Sequence, residues 1–171
     1  MFQSRAQVDR EVLSLEELEA FKFKDSNFNE ILDAWGNKEK TISFFGFKEE
    51  FKCSVEEFRG IEWCELKKPG LVVNFMAGEI FNLLEITSDE YPITYKDKAI
   101  AIGMPVGTLS NLFPKAYEKR ESRVVPVGLA KEERLDMVIF WVGVAGSDTT
   151  VAFQFDHITQ LITEISLFVY N

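Results

Sequence analysis

The stretch Ile61-Glu-Trp-Cys-Glu-Leu66, Lys67-Lys-Pro-Gly70, Leu71-Val-Val-Asn-Phe-Met76 reads as strand, turn and strand. Side chains alternate along a strand, so Ile61, Trp63 and Glu65 share one face and Glu62, Cys64 and Leu66 the other. Pro-Gly after two lysines is turn chemistry. Downstream, Ala77-Gly-Glu79 makes a second tight turn before a strand over residues 80–87. Upstream, residues 42–47 read as a strand that reaches the first one through the charged connection 48–60. There Ser54 and Glu57 fit a capping box for one short helical turn. Four strands in sequence order predict an antiparallel meander. Ahead of it, Phe28, Ile31, Leu32 and Trp35 recur at i, i+3, i+4 and i+7, an apolar helix face, and Gly36 is a natural stop.

The same order returns further on. Pro105 suits a first helical turn, Val106, Leu109, Leu112 and Phe113 supply the apolar face, and Pro114 ends it. Strands follow over residues 123–127, 137–144, 149–155 and 158–170, with a charged loop over 128–136 and an extended segment over 94–102. Trp63 and Trp141 stand 78 residues apart, and Phe75 and Phe153 share that offset. So do Phe28 and Val106, Ile31 and Leu109, Ala34 and Leu112, and Trp35 and Phe113. A further capping box at Ser14 and Glu17, with Leu13, Leu18 and Phe21 on one stripe, predicts a helix before the first unit. The expected class is therefore α+β: two tandem units, each a helix plus a four-stranded antiparallel sheet, with an extra N-terminal helix. The expected divisions are residues 1–24, 25–90 and 91–171, packed together as one body.

A helix followed by a four-stranded antiparallel sheet, given twice, resembles the β-lactamase inhibitor protein architecture. The second unit, with Ala101-Ile-Gly-Met-Pro-Val-Gly-Thr-Leu-Ser-Asn-Leu-Phe-Pro114, Val151-Ala-Phe-Gln-Phe-Asp156 and Ile162-Thr-Glu-Ile165, is also similar to outer-membrane assembly lipoproteins of the BamE type. Those inhibitors are secreted and disulfide-bonded, and those lipoproteins carry a lipidated cysteine; this chain has only Cys53 and Cys64, and no residue role transfers. Both resemblances imply a sheet surface that grips another protein.

The chain has 171 residues, 46% of them hydrophobic, and 16 are Phe, which suits a sheet packed against other elements. The net charge of −9 is uneven. Residues 1–90 hold 11 Lys and Arg against 19 Asp and Glu, and residues 91–171 hold 8 against 9. An acidic field repels nucleic acid and anionic lipid and speeds encounter with a basic protein; it also simply keeps proteins soluble. Residues 1–15 carry charges at Arg5, Asp9, Arg10 and Glu11, so no signal peptide is expected, and no window holds the roughly 20 apolar residues that span a bilayer. A cytoplasmic protein with reduced Cys53 and Cys64 is the expectation, a disulfide between them the alternative. Two cysteines and one distant histidine do not complete a tetrahedral zinc set at any usual spacing.

Catalytic chemistry lacks parts. His157, the sole histidine, sits in Phe155-Asp-His157, which reads as a turn; Cys64 is its one conceivable nucleophilic partner. Adjacent carboxylates such as Glu49-Glu50, Glu56-Glu57, Asp89-Glu90 and Glu132-Glu133 read as solvated surface rather than as a convergent acid–base pair. Gly103-Met-Pro-Val-Gly107 lacks the lysine of a phosphate loop, and Glu118 and Glu121 interrupt the basic run 115–123. No enzyme and no cofactor are expected. The positive candidate is a partner-binding surface of Glu49, Glu50, Glu56, Glu57, Glu62, Trp63 and Glu65: acid for steering, a large aromatic for anchoring. Trp63 also reads as core, as its partner Trp141 suggests. The expected function is a protein-binding inhibitor, most concretely a bacterial immunity protein, which small acidic Phe-rich cytosolic chains resemble in character, holding a basic toxin domain. The alternatives are an assembly adaptor of the BamE type and a small-molecule-binding domain.

Overall fold

The computed structural model describes residues 11–14, 16–17, 20–23, 26–27, 38–47, 52–55, 60–76, 80–128, 131–142 and 148–170. The central meander forms where alternation predicts it. Strands β4 (Lys52–Val55), β5 (Glu62–Lys68), β6 (Leu71–Met76) and β7 (Ile80–Ile86) pair antiparallel in sequence order. Lys68 faces Leu71 across a two-residue turn. Proline presets φ at the first turn position, and Gly70 takes the second at φ +74°. Cys64 and Leu66, Leu71, Val73 and Phe75, and Leu84 and Ile86 are buried on one face.

A second meander comprises β10 (Glu121–Gly128), β11 (Lys131–Val142), β12 (Asp148–Phe155) and β13 (Ile162–Tyr170). Its last strand pairs with the last strand of the first, Ile165 opposite Ile86 and Leu167 opposite Leu84, so the two meanders join edge to edge. With β1 (Val12–Leu13) lying parallel on β11, this makes a nine-stranded sheet. Val138, Val151, Phe153, Phe155, Ile165 and Leu167 continue the buried face.

A four-stranded sheet closes that face: β3 (Ser26–Asn27), β2 (Phe21–Phe23), β8 (Ile93–Tyr95) and β9 (Lys98–Ile100). The β8–β9 turn holds Lys96 and Asp97 at φ 49° and 62°, the positive pair that a type I′ hairpin needs. Phe113 ties the layers together, its ring centroid 5.8 Å from Phe21 and 5.8 Å from Phe153, both stacked. Buried residues of both halves of the chain form one continuous core. A gap of about 20 Å³ remains between Phe21, Phe23, Leu84, Ile93, Val151 and Ile165, room for about one water and too little for a small-molecule ligand.

The expected α+β class with two helix-plus-sheet units is overturned. The protein is mostly β: more than half of the described residues lie in strands, and its described helices are short. The physical reasons are local. Residues 42–47 are not a strand. Helix α1 (Lys38–Phe45) runs into them, and Gly46, at φ +67°, ends it. The Gly46 N–H donates to the Ser43 carbonyl and the Phe47 N–H to the Ile42 carbonyl, a Schellman motif that also buries Phe47. The Lys68 ammonium caps the Phe45 carbonyl at 2.6 Å and lies over the rings of Phe47 and Tyr91; burial lowers its pKa and Glu90 partly restores it.

The expected helix over 106–113 is a 3-10 turn, Val106–Asn111, followed by α2 (Pro114–Glu118). Proline disfavours helical geometry in the residue before it. Phe113 accordingly sits at φ −136°, and Pro114 starts a helix instead of stopping one. The Thr108 and Ser110 hydroxyls donate to the Pro105 and Gly107 carbonyls, local bonds that compete with an α-helix. The expected N-terminal helix does not reach from Leu13 to Phe21: Leu13 lies in β1 and Phe21 in β2, and of the residues between them Glu16 and Glu17 are helical. Its capping box is nevertheless made: the Ser14 N–H donates to the Glu17 carboxylate at 3.1 Å and the Glu17 N–H to the Ser14 hydroxyl at 3.2 Å. Ser54 belongs to β4. Glu57, and the helix face Phe28, Ile31, Leu32 and Trp35, lie outside the described residues. The charged stretch 131–136 is strand, and the last strand starts at Ile162 rather than at Ile158.

The offset of 78 is not the one the ladders follow. Trp63 stands opposite Met76, whereas Trp141 stands opposite Thr150. The first meander has a bulge at Asn74/Phe75 and the second has register shifts at Pro126/Gly128 and Gln154/Phe155, the last 80 residues beyond the first.

Candidate functional site

Of the seven residues expected at a partner-binding surface, Glu49, Glu50, Glu56 and Glu57 lie outside the described residues. Glu62, Trp63 and Glu65 lie on β5 and are split by its alternation. Glu62 is exposed and shares the core side with Cys64 and Leu66, just beyond the end of the core. Trp63 and Glu65 are half-buried on the opposite, outer side, so Trp63 is not part of the core. Trp63 faces Met76, and Glu65 faces Asn74 on β6 and Lys52 on β4.

The outer face continues across the seam between the meanders. Leu83 and Glu85 on β7 are half-buried there, and Phe168, Ser166 and Glu164 follow on β13. Ser166 stands opposite Glu85 and donates its hydroxyl to the Glu164 carboxylate. Glu65, Glu85 and Glu164 thus bring three carboxylates to one side of one sheet. Burial raises the Glu85 pKa, Glu164 adds to the rise, Lys67 opposes it and Glu65 reinforces it. Among the described residues none of the three carboxylates lies within ion-pair distance of a cation. Small side chains occupy β12 at the same level: Thr150 and Ala152 are buried, and the Thr150 hydroxyl has no hydrogen-bond partner among the described residues.

Glu85 and Glu164 were not among the expected site residues. The signal that marks them is a lone carboxylate between apolar neighbours, Leu84-Glu85-Ile86 and Thr163-Glu164-Ile165. On a strand, that pattern places the acid on the face opposite the core.

Other charged groups serve the fold. The Arg134 guanidinium forks onto the buried Asp136 carboxylate at 2.9 Å and, with Ser122, holds that pKa down against its burial. Asp156 accepts hydrogen bonds from the Ile158 and Thr159 backbone N–H groups at 3.0 and 2.7 Å. These bonds depress its pKa and shape the turn that carries the exposed His157. Cys64, the conceivable partner of His157, is bonded to Cys53. That bond corrects the expectation of two reduced thiols. The cysteines stand directly opposite each other on β4 and β5, Cα atoms 4.0 Å apart, so backbone register alone brings their sulfurs together.

No described helix is long and apolar enough to cross a membrane. No protein-family model, no curated protein and no solved structure matches the chain.

Proposed function

We propose that this chain is a protein-binding inhibitor that holds a basic partner against the outer face of its large sheet. The observation that carries the reading is the row Glu65, Glu85 and Glu164, which has no ion pair among the described residues and runs beside half-buried Trp63, Met76, Leu83 and Phe168. A carboxylate partly withdrawn from water gains most from a cation that arrives with its own apolar surround. The aromatic and thioether neighbours supply the anchoring area that interface centres favour. The charge excess of residues 1–90 adds steering toward a positive partner. An immunity protein that neutralises a basic toxin domain in the bacterial cytoplasm is the most concrete form of this role. The partner's active site would be blocked by occlusion and charge, not by a reaction.

The test compares wild-type protein with the Glu65→Gln, Glu85→Gln, Glu164→Gln triple variant as baits in a lysate of the native host, at low and at high salt. A basic protein retained by the wild type at low salt, released by salt and lost from the triple variant is the expected result. That protein's own activity must then fall when the wild type is added. Equal retention by the triple variant, or an undiminished activity, sinks the proposal.

A further inference from the structure

We infer that Cys53, Cys64 and Glu62 form a redox-gated site for a thiophilic divalent cation of the zinc class. Cys53 faces Cys64 across the β4–β5 ladder, and Glu62 lies two residues before Cys64, on the same side of β5. The two sulfurs and a Glu62 carboxylate oxygen all lie within 4.8 Å of one another. Thiolate sulfur and carboxylate oxygen are zinc ligands, and three protein donors with a water in the fourth position complete a tetrahedron. The sequence alone offers His157 as the nearest histidine and so fails to suggest a set. Alternation along β5 supplies the carboxylate instead, from a residue that has no place in the core, and pairing with β4 brings the second sulfur.

While the sulfurs are bonded to each other, neither can ligate a metal. Two electrons from a thiol reductant change that: the S–S bond breaks, two thiols form, and the reductant leaves as its own disulfide. Cation binding then releases the two thiol protons to solvent, and Glu62 contributes a carboxylate oxygen. Access is built in. Cys53 is exposed on an edge strand, so an incoming thiolate reaches its sulfur, whereas Cys64 is buried between β4 and β6. Ligation requires the sulfurs to separate to about 3.7 Å, the edge of a tetrahedron with zinc–sulfur bonds of about 2.3 Å. Strand β4 has freedom to give: all four of its residues are exposed, and among the described strands it pairs with β5 alone. The two states thus do one job. A disulfide clips β4 to β5 in oxidising surroundings, and a metal does so in reducing ones. This inference does not depend on the proposed partner.

The experiment uses the whole chain and cadmium as the probe. Folded protein treated with a phosphine reductant should release two titratable thiols without denaturant. Cadmium should then give a thiolate charge-transfer band that saturates at one equivalent, and zinc should displace it. Untreated protein should give no band. Glu62→Gln keeps both sulfurs and should weaken cadmium affinity by at least about tenfold, the scale on which even groups that merely orient ligands matter. Cys53→Ser should abolish the stoichiometric band, with circular dichroism as the check on its fold. Thiols that stay closed to reductant, a band absent from reduced wild type, or a Glu62→Gln variant that binds as tightly as wild type would each overturn the inference.

Discussion

Glu85 and Ser166 face each other across the seam where the two meanders join, and Ser166 gives its hydroxyl to Glu164 rather than to Glu85. Glu85 is left half-buried beside a second negative charge, and its pKa is raised chiefly by that burial. A carboxyl that holds its proton more tightly folded than unfolded favours the folded state at low pH. That advantage is lost as pH rises from the ordinary carboxylate range through the raised value. Glu85→Gln should therefore raise the urea midpoint near pH 7 and leave it little changed near pH 4, about where the ordinary carboxylate titrates. Equal midpoints of mutant and wild type near neutrality would mean that the seam carries no electrostatic strain.

Gly70 tests the turn that the sequence declares most plainly. Its φ of +74° is costly for any residue with a Cβ, and an added Cβ would lie 2.1 Å from the Ser88 Cβ. Gly70 also accepts a hydrogen bond from the Thr87 N–H at 2.9 Å, so the turn cannot drift away from that segment freely. Gly70→Ala should cost more than about 1 kcal/mol in chemical denaturation, the scale for alanine forced into positive φ. Adding Ser88→Gly should recover the part due to the clash and leave the part due to φ.

What the sequence made legible follows the range of the forces involved. The strands β5, β6 and β7 are readable because Leu71, Val73 and Phe75 alternate with half-buried neighbours within a single segment. The Ser14–Glu17 capping box is likewise local, and it forms where Glu16 and Glu17 are helical. Residues 42–47 misled because four apolar residues around Gly46 read as a strand until the left-handed glycine ends a helix there. Pro114 misled because proline stops one helix as readily as it starts another. The seam between β7 and β13 and the bond between Cys53 and Cys64 join residues by tertiary register, which no local pattern encodes. Glu65 was found at the candidate site because it lies beside a tryptophan; Glu85 and Glu164 reach it only through that seam.

Thr150 gives a prediction with an unusual sign. The residue is only 7% exposed on β12, opposite Trp141 and Phe168, with a hydroxyl that finds no partner among the described residues. Valine has the same shape without the group that must be stripped of water. Thr150→Val should stabilise the protein by about 1 kcal/mol, the low end of the cost of an unmet buried donor. The free energy of urea unfolding measures it, and a loss of stability would show that the hydroxyl has a partner in solution.

Phe113 is the side chain on which the two layers converge. It is fully buried, stacks on Phe21 in the small sheet and Phe153 in the large one, and also meets Tyr95 at 4.9 Å. Its backbone carries a helix boundary too, since its carbonyl accepts the Tyr117 N–H at 2.8 Å. Phe113→Ala should cost about 3–5 kcal/mol, because the cavity left behind is walled by two sheets that cannot collapse into it together. Phe113→Leu keeps most of the volume and should cost less than half as much. If the two sheets were independent bodies, Phe113→Ala would split the denaturation curve into two transitions; a single continuous core predicts one transition, shifted whole.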